Sequence, residues 1–153
     1  MNMKTVIAGL IILVLAGLGY FLVQNHIKPT QTHLSRVTID HHTFAVEVAT
    51  TSAQLELGLS NRTSLSQDHG MLFAFPVKGD YTFWMRNMRF PLDIIFIDTD
   101  KLVSIKQDAP PLKDASNPVI YQPEKPANYV LEINAGLAQK FNFKLGDTVK
   151  IER

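Results

Sequence analysis

The chain has 153 residues, with 15 Lys and Arg against 14 Asp and Glu, and it contains no cysteine. Without cysteine it has no disulfide, no Cys-ligated zinc or iron–sulfur site and no thiol nucleophile. From Ser35 onward the basic residues number 13 against 14 acids, because Lys4 and Lys28 precede that point and no acid does. Nucleic-acid binders usually carry a basic stripe, since neutralising phosphates supplies much of their affinity. The balanced charge therefore argues against a nucleic-acid partner.

The N-terminal segment 5–23 is a run of 19 residues without a charge or a proline. As a helix it would be roughly 28 Å long, close to the hydrocarbon thickness of a bilayer. Lys4 precedes the run, and Tyr20 and Phe21 lie near its far end, where interfacial aromatic residues are favoured. The pattern predicts an uncleaved transmembrane anchor. A cleaved signal peptide is the alternative, although its apolar core would be long and no clean cleavage site follows.

This N-terminal pattern gives a three-part organisation. Residues 1–23 form the predicted membrane anchor, residues 24–34 a polar tether, and residues 35–153 a single domain. A domain of this size can bury a sufficient core without disulfides. We expect it to lie on the extracytoplasmic side, periplasmic or extracellular, with the N-terminus inside.

The first part of the domain alternates apolar and polar residues over 36–39 and 43–49, which is the period of a half-buried strand. Residues 40–42 between them predict a hairpin turn. His41 and His42 lie in this turn, and adjacent strand residues point to opposite faces, so they make a poor chelating pair. We interpret them as solvent-exposed histidines, and no metal site is predicted.

A capping box predicts the first helix. The hydroxyl of Thr51 and the amide of Gln54 can satisfy the free backbone N–H groups at a helix start. Leu55 and Leu59 then fall on one face, and Gly58 lies near the end. The sequence therefore predicts a short helix after Thr51.

The central stretch 81–106 consists of apolar, aromatic runs separated by a connection at 87–91 and a turn at 98–101. It predicts two or three adjacent strands. The preceding run 71–75 has the composition of a buried strand that ends at Pro76, because proline cannot donate to a sheet ladder.

The last third begins with five prolines between Pro110 and Pro126, which predicts a long functional or mobile loop. A strand is predicted at 128–133, a short helix at 135–141 with Asn134 as its N-cap, and a final strand at 148–151. Short strands without βα alternation predict a mainly β fold, a compact and mostly antiparallel barrel or sandwich with two short helices.

The order and spacing of several motifs resemble a family of bacterial and archaeal proteins catalogued as domain of unknown function number 192. The resemblance extends over 38–151, with mild departures at Ser60 and Arg89. It implies a small β-rich domain, frequently exported, and it brings no established reaction. The motifs that carry it are Gly58-Leu59 with Arg62, Gly70-Met71-Leu72-Phe73, Phe83-Trp84-Met85 with Asn87, Pro91-Leu92-Asp93-Ile94 with Phe96-Ile97, Tyr129-Val130-Leu131-Glu132 with Ala135-Gly136, and Gly146-Asp147.

Asp93 is the strongest candidate for a functional residue, because it lies between Leu92 and Ile94 in a run that otherwise belongs in the core. A buried carboxylate must be paired, hydrogen-bonded or protonated. A structural interpretation has it accept backbone N–H bonds from the 87–91 connection or pair with an arginine at position 62, 86 or 89. A functional interpretation places it on the floor of a ligand pocket or makes it a general base.

Four further residues complete the predicted ligand site. Trp84 is the only tryptophan, and with Arg86 and Asn87 it could form a platform for a sugar or other polar ring, although a core tryptophan is the competing interpretation. Arg62 could bind an anion or pair internally with Asp93 or Glu132.

Three functions follow from these candidates. The first is a membrane-anchored module that binds a small polar ligand through Arg62, Trp84, Arg86, Asn87 and Asp93. The second is an envelope scaffold whose partner is another protein. The third is a hydrolase that uses Asp93 with Glu132 or His69. The common metalloprotease, nucleotide and dinucleotide motifs are missing, so no cofactor is predicted and enzymatic activity is the less favoured expectation.

Overall fold

A computed structural model describes residues 35–114 and 116–152. The predicted anchor and tether, 1–34, lie outside the described residues. Within them, no helix is long and apolar enough to span a bilayer. The described residues form a mainly β fold with two short helices, α1 (Ser52–Leu57) and α2 (Leu137–Lys140). The seven strands are β1 (Ser35–Ile39), β2 (His42–Ala49), β3 (His69–Gly79), β4 (Leu92–Asp98), β5 (Lys101–Ala109), β6 (Ala127–Asn134) and β7 (Val149–Glu152).

The strands form one sheet in the order β5-β4-β6-β3-β2-β1-β7. All neighbouring pairs are antiparallel except β2 and β3, which run parallel. Parallel neighbours need a crossover connection, and α1 with the loop after it supplies this connection. The predicted β1–β2 hairpin is confirmed, with Ile39 opposite His42.

The capping box predicted for α1 is also confirmed. The Thr51 hydroxyl accepts from the backbone N–H of Gln54 at 3.4 Å, and the Gln54 side-chain oxygen accepts from the backbone N–H of Thr51 at 3.1 Å. Gly58 follows with φ +49° and ψ −136°, a backbone conformation that favours glycine. Its left-handed φ turns the chain away from the helix axis. Leu59 is buried in the outer apolar cluster, and Leu55 packs against it.

The sheet curls into a half-barrel whose two edge strands meet at one end. Backbone N–H groups of Leu102 and Val149 donate to the carbonyls of Asp147 and Asp100 at 3.0 and 2.8 Å. The N–H of Gly146 donates to the Leu102 carbonyl at 2.8 Å. These bonds protect part of each edge from pairing with other chains.

Two apolar clusters cover the two faces of this sheet. The inner cluster joins residues of all seven strands with Leu137 and Ala138 of α2, which closes one end of the half-barrel. The outer cluster lies beneath α1 and the long loops and includes Phe73, Phe83 and Phe96. Because side chains alternate along each strand, β6 sends Leu131 inward and its neighbours outward.

The prediction of a strand at the start of the central stretch is wrong. Segment 81–86 forms only an isolated bridge, in which Phe83 pairs with Tyr121 of the proline-rich loop. Its aromatic residues cover the outer face of the sheet instead of extending it. Strand β3 also continues past Pro76 to Gly79. The register of β3 against β6 shifts between Ala74 and Gly79, so the proline falls where the ladder is already interrupted.

The predicted cap of the second helix is also wrong. α2 begins at Leu137 after Gly136, which has φ +82°, and no side chain caps it from the N-cap position. The amide of Asn134 instead donates to the carbonyls of Leu65 and Ser66 at 2.9 and 3.2 Å. Asn134 therefore fastens the loop before β3 to the end of β6.

Candidate functional site

A cleft of about 810 Å³ lies on the outer face between α1 and segment 81–88. This volume is within the range of small-molecule sites. One wall comes from α1 and the loop that follows it, and the other comes from segment 81–88. β3 and β6 supply the floor, so the crossover connection and the irregular aromatic segment together create the cleft.

The aromatic residues of the cleft come from β3 and segment 81–88. The rings of Phe75 and Tyr81 stack with centroids 3.6 Å apart, and those of Phe73 and Phe83 meet edge to face at 4.9 Å. Trp84 remains 44% exposed. Trp84 therefore lies on the surface, and the interpretation as a core tryptophan is wrong.

Glu132 lies on the floor of the cleft and is only 5% exposed. No described residue forms a hydrogen bond or ion pair with its carboxyl group. Burial raises the pKa of Glu132 to about 8, because desolvation penalises the charged form. A side chain added at Gly58 would begin 4.0 Å from its Oε2 atom, so the glycine keeps space open above the carboxyl.

Two bonds hold the walls in place. The Ser60 hydroxyl donates to the Arg86 carbonyl at 3.1 Å, and the Asn61 N–H donates to the Asn87 carbonyl at 2.9 Å. Both asparagines have a left-handed backbone, with φ of 67° and 57°. Asparagine tolerates this conformation better than most residues, so its presence at both turns fits the local geometry.

The structure brings three of the five predicted site residues into this cleft, namely Trp84, Arg86 and Asn87. The Arg86 guanidinium lies 5.3 Å from the centroid of the Trp84 ring, in cation–π geometry. The three residues predicted as a platform therefore lie together in one cleft, on a loop and not on a strand.

Arg62 lies outside the cleft lining. Its guanidinium forms a bidentate pair with Glu47, in which Nη2 donates to Oε2 at 2.9 Å. The hydrogen bond from Arg62 lowers the pKa of Glu47 below its ordinary value. Arg62 therefore pairs internally, as one interpretation expected, but with Glu47 and with neither Asp93 nor Glu132. The pair fastens the loop after α1 to β2.

Asp93 also lies outside the cleft, fully buried on the inner face. Its Oδ1 accepts from the N–H of Asp108 at 2.9 Å, and its Oδ2 accepts from the N–H of Ala138 at 2.8 Å. The prediction that Asp93 bonds to the 87–91 connection or to an arginine is therefore wrong. Asp93 instead caps the start of α2 and holds β5 where its register against β4 shifts.

The structure does not bring together the residues of the predicted hydrolase. Asp93 is paired with Ile133 and Ile94 with Glu132, so the two acids occupy adjacent rows and point to opposite faces of the sheet. His69 shares the outer face with Met71, two residues along β3, and its Nδ1 lies 2.8 Å from Asp68. Because Asp93 faces the inner side of the sheet, neither Glu132 nor His69 can act on the same substrate as Asp93.

The sequence model of domain of unknown function 192 (DUF192), described as an uncharacterised ACR, matches residues 35–151. This match covers most of the chain. The protein belongs to the DUF192 family. Among curated proteins, no match is found.

Two crystal structures resemble this DUF192 domain closely. A protein of unknown function from Novosphingobium aromaticivorans is 37% identical, with a TM-score of 0.69 over 81% of this chain and 90% of its own. A protein from Sinorhizobium meliloti, described as a proposed transcription regulator, is 32% identical, with a TM-score of 0.71 over 76% of this chain and 92% of its own.

Sequence reasoning did not place Glu132 in the predicted ligand site of the DUF192 domain. One signal was available, since Glu132 is an acid in an apolar strand, as Asp93 is in β4. The sequence could not show that β6 directs Glu132 to the outer face while β4 directs Asp93 to the inner face. That assignment depends on the β4–β6 register.

Proposed function

We propose that this DUF192 domain binds a small organic ligand in the cleft over Glu132. The observation that carries the proposal is Glu132, a residue only 5% exposed, whose carboxyl group lines the cleft and has no hydrogen-bond or ion-pair partner in the described part of the chain. Burying a polar group without a hydrogen bond is costly. A ligand that reaches the floor can supply the partner that the protein does not.

The walls suit such a ligand. Buried aromatic surface provides affinity with little loss of side-chain freedom, and a few polar groups orient the bound molecule. Here Arg86 and Asn87 are at the mouth and Glu132 is at the floor. This extends the predicted site of Trp84, Arg86 and Asn87 to Glu132, while Asp93 and Arg62 stabilise the surrounding fold.

The test uses full-length protein in phosphatidylcholine vesicles and a panel of small aromatic and heterocyclic compounds. Because Trp84 is the only tryptophan, its fluorescence reports on the cleft directly. Leu57 and Leu145 are exposed to a similar extent, 58% and 60%, but only Leu57 lines the cleft. Leu57→Ala should weaken a binding compound several-fold, and Leu145→Ala should leave it unchanged. A compound equally affected by both substitutions, or a panel without any binder, would contradict the proposal.

We also propose that the domain is anchored by segment 5–23 and lies outside the cytoplasm. The length and apolar composition of that segment support this placement. The test is protease treatment of intact spheroplasts after expression of the full chain. The domain should be digested from outside and should sediment with membranes before treatment. Recovery in the soluble cytoplasmic fraction would contradict the placement.

A protein partner is the second candidate, favoured by an exposed apolar pair beside the cleft. Val119 and Ile120 are 58% and 47% exposed, next to Tyr121, which bridges to Phe83. The test is photo-cross-linking from position 119 in cells, with position 145 as the control. A discrete envelope protein captured only from position 119 would support this candidate. Nucleic acid is not expected as the partner, because the charge of this chain is balanced.

A further inference from the structure

We propose that the ligand of the cleft is an organic cation, an amine attached to an apolar or aromatic body, whose nitrogen is bound by the Glu132 carboxylate. This inference depends on the proposed function and specifies its ligand class. The supporting observations are the position of Glu132, the charges around it and the aromatic walls.

The charges around Glu132 favour a cation over an anion. Among the described residues that line the cleft, the charged or titratable side chains are Glu56 from α1, Tyr81 and Arg86 from segment 81–88, and Glu132 itself. On the same face of the sheet, β4 adds apolar side chains such as Ile94, and β3 adds Phe73 and His69, whose Nδ1 is 2.8 Å from Oδ1 of Asp68. Glu47 of β2, one strand beyond β3, is paired with Arg62. Because Glu132 is mostly neutral without a ligand, the charged lining groups are Glu56 and Arg86, and the Arg86 guanidinium already lies over Trp84. A bound cation can draw its counter-charge from Glu132, which a bound anion cannot use.

The aromatic walls add attraction for a cation. The face of an aromatic ring carries partial negative charge and attracts ammonium groups, most strongly when water is excluded. Phe75, Tyr81 and Trp84 present such surfaces in the cleft. An anionic ligand would meet these faces and a buried acid, both of which are unfavourable for negative charge.

Binding of an amine would change the protonation of the site. Free Glu132 is mostly neutral at pH 7, since burial raises its pKa to about 8. When an ammonium group binds beside it, the carboxyl group loses its proton to solvent, and a carboxylate–ammonium pair remains. The amine stays protonated, so the balance is one proton released for each cation bound by the neutral form.

The experiment compares three probes of similar shape on the full chain in phosphatidylcholine vesicles. They are 2-phenylethylamine, its neutral analogue 2-phenylethanol, and the anion 3-phenylpropionate. Affinity is followed by Trp84 fluorescence at pH 7. Proton release is measured by calorimetry in two buffers of different ionisation enthalpy. We expect the amine to bind at least tenfold more tightly than the alcohol, the anion to bind most weakly, and amine binding to release close to one proton.

Glu132→Gln should remove both the amine preference and the proton release while 2-phenylethanol binding persists. Glu124→Gln is the matched control, because Glu124 is an exposed acid paired with Lys106 outside the cleft, and it should behave as the unmodified protein. Equal binding of amine and alcohol would overturn this inference and leave the proposed cleft intact. Tight amine binding that survives Glu132→Gln would also overturn it. If none of the three probes binds, the inference fails, and the proposed function fails with it only if the wider panel finds no binder.

Discussion

The two buried acids of this domain lie in neighbouring strands, yet their surroundings are opposite. Asp93 faces the inner cluster, where the N–H groups of Asp108 and Ala138 saturate its two oxygens. Glu132 faces the outer cluster, where the described residues offer its carboxyl no hydrogen bond, and the cleft opens above it. An acid in an apolar strand therefore signals a special position in both cases. Its hydrogen-bond partners distinguish the acid that stabilises the fold from the acid that is available to a ligand.

The largest expected effect concerns Glu132 and pH. A pKa raised to about 8 means that the folded state holds a proton which the unfolded state loses near pH 4.5. The contribution of Glu132 to stability is therefore fully present below about pH 4.5 and is lost as pH rises toward 8. The slope is at most about 1.4 kcal/mol per pH unit.

Chemical denaturation between pH 4.5 and 9 checks this, with Glu132→Gln as the comparison. Other acids, such as Glu47, have lowered pKa values, so their contribution to stability increases as pH rises. Both proteins contain these acids, so the difference in stability between the two proteins isolates Glu132. The variant should gain stability relative to the unmodified protein as pH rises. If the free energies of unfolding of the two proteins change with pH in parallel, Glu132 is not buried as a neutral acid.

Asp93→Asn should give the next largest effect. The amide cannot accept with both of its polar atoms, so the N–H of Asp108 or that of Ala138 loses its partner. The expected loss is roughly 3 kcal/mol, since an unsatisfied buried donor is costly, and more so when its partner was charged. Urea unfolding at pH 7 measures it, and Glu132→Gln should not destabilise under the same conditions. Equal losses in both variants would remove the contrast between the two acids.

Arg62→Met should give a smaller effect on the outer face. The Arg62–Glu47 pair is partly exposed, at 35% and 46%, so solvent screening limits its contribution to about 1 kcal/mol or less. Met keeps the apolar stem and removes the charge. Urea unfolding at 0.05 and 0.5 M salt separates the ionic part, and the loss should shrink at high salt. A loss comparable to that of Asp93→Asn would mean that the outer layer depends on this pair more than its exposure suggests.

Much of the fold could be predicted from local patterns. The β1–β2 hairpin, the capping box at Thr51 and the mainly β class depend on alternation and capping chemistry, which act over a few residues. The prediction of a strand at 81–86 failed because a segment with the composition of a strand can also cover a sheet as an irregular aromatic layer. The place of segment 81–86 is defined by long-range contacts such as the bridge from Phe83 to Tyr121, 38 positions further on, and the bond from Ser60 to Arg86. Long-range pairing of this kind leaves no local signal.

The candidate site was predictable in part for the same reason. Trp84, Arg86 and Asn87 are neighbours in sequence, so a shared surface could be expected without knowledge of the fold. The faces of Asp93 and Glu132 depend on the β4–β6 register, in which a shift of one residue would place both side chains on the same face. Their roles could therefore be separated only once the register was known.

Direct titration of Glu132 tests the central claim most closely. The side-chain carboxyl carbons of all glutamates can be labelled with ¹³C, and Glu132→Gln identifies the Glu132 resonance by its loss. In the ligand-free protein this resonance should titrate with a midpoint near 8, and saturation with 2-phenylethylamine should lower the midpoint. A midpoint near the ordinary value of 4.5, unchanged by the amine, would contradict both the buried neutral acid and its role in the cleft.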